Sequence, residues 1–203
     1  VKKLAHEHVG KGGGEILVSL LGKMKALYWF HWTSHWQTIG APFYGDHELF
    51  ARLKDDMVDE IDTLAEKLVG YYGADSVDPW HVMEHEHAGM APEYATDLVS
   101  QALLMEQSFQ ADLQQAYDKL KASGEITLGL DDFIMGLSSD HDSHVYLLQQ
   151  RMGGKGTFGA VASTEAFNSL EKSWSGHSSF RPTRHAEDDW SEWMDAGLMT
   201  EES

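Results

Sequence analysis

Cysteine is absent from the 203 residues, and proline occurs only four times. Together with seven Trp, eight Phe and seven Tyr that need burial, this excludes disulfide-scaffold, collagen-like and disordered classes. It also excludes a cysteine nucleophile. No apolar run approaches the ~20 residues that cross a bilayer. Gly-x-Ser-x-Gly and the P-loop are missing too, which removes the serine-hydrolase and nucleotide-binding readings. Basic residues are scarce: 15 Lys+Arg stand against 33 Asp+Glu, a formal charge of −18. An excess of this sign argues against a nucleic-acid partner and favours cations. The opening Val1–His8 segment lacks the apolar stretch of a secretory signal, so a cytoplasmic location is the expectation.

What is present is helical periodicity. Gly12-Gly13-Gly14 is expected to break the chain, and after it Ile16, Leu17, Leu20, Leu21, Met24, Leu27, Tyr28 and Phe30 recur at helical spacing from Glu15 to about Thr38. Asp46 reads as the N-cap of a second helix that stops at Gly73. Asp78-Pro79 starts a short helix through His87. A third long helix is expected from Pro92 or Glu93 to Ala122, and a fourth from about Leu130 to Met152. Four long helices without strand alternation predict an all-α four-helix bundle, with a short helix in the link between helices two and three. The expected organisation is a flexible segment 1–14, a bundle 15–153, and an irregular extension 154–203. That extension carries Trp174, Trp190 and Trp193, an apolar load that suggests docking on a protein partner.

The chemistry-bearing residues cluster around the first turn. His31 and His35 are four apart on one helix, as are Asp62 and Glu66 on the next. His35 ends the first helix and His47 begins the second, so the turn brings them near each other. Mixed imidazole and carboxylate ligands suit iron, with zinc as a substitute. Asp62 lies 15 residues beyond His47 on one helix, which is about 22 Å at 1.5 Å per residue. These residues share one metal only if a two-fold axis sets one subunit's His47 against its mate's Asp62. The competing reading keeps the histidines as caps and packing groups and the carboxylates as a solvated face.

The run His35-Trp36, Gly40, Pro42-Phe43, His47-Glu48-Leu49-Phe50, Asp62 and Ala65-Glu66 resembles the signature of the Dps family, the ferritin-like miniferritins. The likeness extends from about Glu15 to Gly153. It implies a ferritin-like fold, a hollow shell of twelve subunits, and ferrous iron oxidised by hydrogen peroxide. In such a shell His35 and His47 of one subunit hold iron with Asp62 and Glu66 of its two-fold mate. Trp36 beside them corresponds to the family tryptophan that intercepts radicals or passes electrons; its alternative role is core packing. The family usually places an Asp four residues after the second histidine. Here that position is Ala51, which weakens a companion metal position. Asp46 and Asp55 lie near enough to be substitutes.

Other clusters are accessory metal candidates. His81 and His85 sit one turn apart on the linking helix, beside Glu84 and His87, where an exposed histidine cluster is the favoured reading. His141 and His144 are three apart on the fourth long helix, where a solvated polar face is the favoured reading. Asp131 and Asp132 open that helix, and the resemblance puts this region near acidic three-fold pores. Lys2, Lys3 and Lys11 are too few basic residues to hold duplex DNA on so acidic a chain. Two functions are thus weighed. One is an iron-oxidising, iron-storing shell. The other is a structural or adaptor shell whose site has decayed at Ala51 and whose tail docks onto a larger assembly.

Overall fold

A computed structural model of the chain describes residues 11–90 and 97–153. It contains α1 (Lys11–Gln37), α2 (Phe43–Tyr72), α3 (Pro79–Gly89), α4 (Leu98–Ser123) and α5 (Leu128–Arg151), with one 3-10 turn at Ala74–Val77. No strand occurs among the described residues. The four long helices form a four-helix bundle, and α3, in the link, packs against α1.

The expected break at Gly12–Gly14 is instead part of α1. A Cβ on Gly13 would stand 2.2 Å from the Tyr72 hydroxyl and 2.7 Å from Glu125 Oε2. Bare backbone there lets the start of α1 lie against the end of α2, so these glycines mark close approach. Apart from residues 11–14, the expected segments 1–14 and 154–203 lie outside the described residues. α2 also starts earlier than expected, at Phe43, with Pro42 at the cap. Asp46 is therefore inside the first turn and not the N-cap.

The remaining ends follow local chemistry. Gly73, at φ 92°, stops α2, and its N–H donates to the Val69 carbonyl. Asp78 caps α3 by accepting from the N–H groups of Trp80 and His81, both at 3.1 Å. α4 is capped by Asp97, which accepts from Ser100 N–H at 2.9 Å; the expected start at Pro92 or Glu93 lies outside the described residues. Thr127 caps α5, which starts at Leu128, two residues ahead of the expected start at Leu130.

The apolar core comes in two pieces. One gathers Leu17, Met24, Leu27, Met57, Leu64, Phe109, Leu113, Ile134 and Leu137. The other, at the opposite end, gathers Phe50, Leu53, Val99, Ala102 and Leu148. Between them in sequence, on α1, α4 and α5, sit His31, Glu106, His141 and His144, all buried. The core is divided by a polar layer.

Candidate metal centres

The α1–α2 turn brings two of the expected ligands together. The rings of His35 and His47 stack with centroids 3.7 Å apart. His35 Nδ1–H donates to the His47 carbonyl at 2.9 Å, and His47 Nδ1–H donates to the His35 carbonyl at 3.0 Å. A carbonyl can only accept, so each Nδ1 carries a proton, and in the neutral ring Nε2 keeps its lone pair. No hydrogen bond engages either Nε2 among the described residues. Anchoring Nδ1 to a fixed acceptor is how a protein orients an imidazole for metal binding through Nε2. Phe43 stacks on the far side of His47 at 5.1 Å.

Asp62 and Glu66 lie further along α2 and are exposed. Within one subunit they do not join the histidine pair. Trp36 is 57 % exposed, which overturns the core-packing alternative for it. It leans on Trp32 at 5.4 Å and on Trp29 at 6.1 Å, making an aromatic row along α1. Two substitutes for the missing Asp at position 51 are otherwise engaged. Asp46 is buried and accepts from Arg151 of α5, with Nη2 at 3.0 Å and Nε in close contact. That hydrogen bond and charge raise the Arg151 pKa. Asp55 is exposed and paired with Lys54 at 2.5 Å.

The densest cluster is inside the bundle. Glu106 of α4 is fully buried and accepts three hydrogen bonds. They come from His31 Nε2 of α1 at 2.8 Å, and from His141 Nδ1 and His144 Nδ1 of α5 at 2.6 and 3.1 Å. On the other side of the α5 histidines stand carboxylates of α2. Glu60 Oε2 is 3.4 Å from His141 Nε2, and Asp56 Oδ2 is 3.6 Å from His144 Nε2. Burial alone would raise the Glu106 pKa, but the His141 charge and the three imidazole hydrogen bonds outweigh it and hold the carboxyl well below its usual range. Burial opposes the charged form of His141, yet Glu106 and then Glu60 push its pKa up to about 10. His31, where desolvation dominates, is lowered.

The solvated polar face expected for His141 and His144 is therefore wrong: both turn inward onto Glu106. Glu106, Glu60 and Asp56 escaped the sequence reading. A signal for Glu106 was there, since it sits among Ala102, Met105, Phe109 and Leu113, on the apolar stripe of α4. A charged residue in that phase needs a buried partner.

The α3 histidines form a third group. His81 Nε2 lies 3.2 Å from both carboxylate oxygens of Glu15 on α1, and His85 Nε2 is 3.7 Å from one of them. This group is half-exposed. Glu15 is an unanticipated member, brought in by the packing of α3 on α1.

No family model matches the chain. Among curated proteins, an uncharacterised low-temperature-induced protein of Nostoc sp. is 26 % identical over 127 residues, covering 60 % of this chain and 69 % of the relative. Its Anabaena variabilis homologue matches equally. Among solved structures, Dps from Thermosynechococcus elongatus superposes with a TM-score of 0.62 at 19 % identity, covering 72 % of this chain and 93 % of that one. DpsC from Streptomyces coelicolor gives 0.60 at 20 % identity, covering 69 % and 83 %. Dps from Listeria innocua, in a crystal soaked with zinc, gives 0.60 at 17 % identity, covering 70 % and 97 %. The architecture is that of the ferritin-like bundles. Within that class, the chain has the Dps fold.

Proposed function

We propose that this chain is a Dps-family miniferritin that binds ferrous iron between two-fold-related subunits, oxidises it with hydrogen peroxide or oxygen, and stores the product inside a shell. The observation that carries this reading is the reciprocal His35–His47 brace, which fixes two imidazoles with both Nε2 lone pairs free. Asp62 and Glu66, exposed on the same helix, are the carboxylates that a symmetry mate would add. Exposed Trp29, Trp36, Phe43 and Val58 give the α1–α2 face the apolar area that a dimer contact buries.

Iron is the substrate. Two ferrous ions give one electron each to a peroxide molecule; its O–O bond breaks, two protons are taken up, and two water molecules form. Hydrolysis of the ferric ions yields an oxide that collects in the cavity. Removing both Fenton reactants would protect the cell from oxidative damage. In this reading Trp36, next to His35 in the chain and exposed, intercepts a stray radical. With Ala51 in place of a carboxylate, and Asp46 and Asp55 engaged elsewhere, the companion metal position has lost a ligand. A shell of twelve subunits in the cytoplasm is the assembly this reading carries. The charge of −18 makes DNA a poor partner.

The test is anaerobic ferrous titration followed by a peroxide pulse, on the wild type and on a variant with His35→Ala and Asp62→Ala. Fast oxidation of about one to two irons per subunit, slowed at least ~100-fold in the variant, is the expected result. Equal, slow rates in both proteins would instead favour the structural-shell reading.

A further inference from the structure

The polar layer that divides the core has no part in the shared site. His31, Glu106 and His141 are 0 % exposed and His144 is 1 % exposed. Four ionisable side chains in place of leucines cost several kcal/mol unless something compensates them. Their hydrogen bonds compensate incompletely: His31 Nδ1 is buried without a hydrogen-bond partner, and His141 Nε2 and Glu60 Oε2 face each other at 3.4 Å without hydrogen-bond geometry. A network evolved only to lock the bundle would be expected to satisfy its members.

We propose that this layer is a binding site for one first-row divalent transition-metal cation per subunit, ligated within a single bundle by Glu106, His141 and His144. One ligand atom from each already lies within 4.8 Å of the other two. The Glu106–imidazole contacts are 2.6 and 3.1 Å. Neighbouring ligand atoms of a tetrahedral ion are about 3.4 Å apart for bonds of about 2.1 Å. A cation replaces the shared protons if His141 and Glu106 part by about 0.8 Å and His144 and Glu106 by about 0.3 Å.

The outer layer of the site is in place as well. Ligation through Nδ1 leaves Nε2–H on both α5 histidines, and these face Glu60 at 3.4 Å and Asp56 at 3.6 Å. A carboxylate behind a metal-bound imidazole fixes its tautomer and strengthens it as a ligand. His31 Nε2–H, 2.8 Å from Glu106 Oε1, positions the ligating carboxylate from α1. Two imidazoles and one carboxylate select iron, zinc, cobalt or manganese over calcium and magnesium, which favour all-oxygen sites. Asp56, with its side chain 46 % exposed, links the layer to the surface and offers the ion a way in. This centre needs no symmetry mate, and its ligands come from α4 and α5.

The experiment is anaerobic cobalt(II) titration of metal-free protein carrying His35→Ala, His47→Ala, His81→Ala and His85→Ala. These substitutions remove the two part-buried imidazole pairs of α1–α2 and α3 and leave the buried layer intact. About one cobalt per subunit is expected, with visible d–d bands of a low-coordinate, imidazole-ligated ion and a rise in Tm. Adding Glu106→Gln or His144→Gln, with helicity checked by circular dichroism, should weaken binding at least ~10-fold. If the quadruple variant binds no cobalt, or binds it without those bands, the proposal is overturned. Because iron oxidation is not read, the result is independent of the fate of the shared site.

Discussion

At the residue scale, hydrogen-bond direction does most of the chemical sorting. Carbonyl acceptors decide the tautomer of His35 and His47. A carboxylate acceptor orients His31, His141 and His144. The buried pair also predicts a pH response of the metal-free protein. The His141 pKa, raised from 6.5 to about 10, contributes stability that is complete below its unfolded value and lost as pH rises through about 10. Glu106 is shifted the other way, so its contribution is present above its ordinary 4.5 and lost on acidification below that. Tm of the metal-free protein should therefore fall steadily between about pH 7 and pH 10, and more steeply than in a His141→Gln variant. Parallel curves for the two proteins would show that the pair does not form. His35 and His47 were legible because a short turn must bring the end of one helix to the start of the next. His141 and His144 were visible as metal-binding types but not as buried ones, because their partner lies 35 and 38 residues away on another helix.

At the scale of elements, helix existence and order could be read from the apolar spacing, and the ends less well. The Gly12–Gly14 run looks like a break, yet becomes the first turn of α1 because Tyr72 and Glu125 occupy the space where a Cβ would go. Asp46 looks like a cap, yet Pro42 holds that place while Arg151 engages Asp46. Tertiary contacts decided both, and these are not encoded in local spacing. Gly22 is the sharper case. A Cβ there would stand 2.3 Å from His85 Cβ, 2.6 Å from the His85 carbonyl carbon and 2.7 Å from the Glu86 nitrogen, so the bare backbone of Gly22 lets α3 lie directly on α1. Gly22→Ala should cost about 1–3 kcal/mol and loosen α3 first. Hydrogen exchange should show faster amides across Pro79–Gly89, while α4 stays protected. Unchanged exchange in α3 would mean that the packing yields without strain.

At the scale of the whole molecule, the single chain leaves large aromatic side chains exposed. Trp29 and Trp36 are 41 % and 57 % exposed, and Ile39 and Tyr44 more so. Exposed aromatic area of this kind is commonly covered in an assembly. Trp29→Ser with Trp36→Ser should shift the particle toward smaller species in light scattering, and an unchanged mass would place the contact elsewhere. The proposed iron site between subunits allows a more direct test through complementation. Shells of His35→Ala/His47→Ala subunits lack the imidazoles, and shells of Asp62→Ala/Glu66→Ala subunits lack the carboxylates. Each alone should oxidise iron slowly. In shells assembled from an equal mixture, half of the dimers pair unlike subunits, and each has one intact site of two. Peroxide-dependent oxidation should thus return to about a quarter of the wild-type rate. No recovery above the two parents would contradict a site built between subunits.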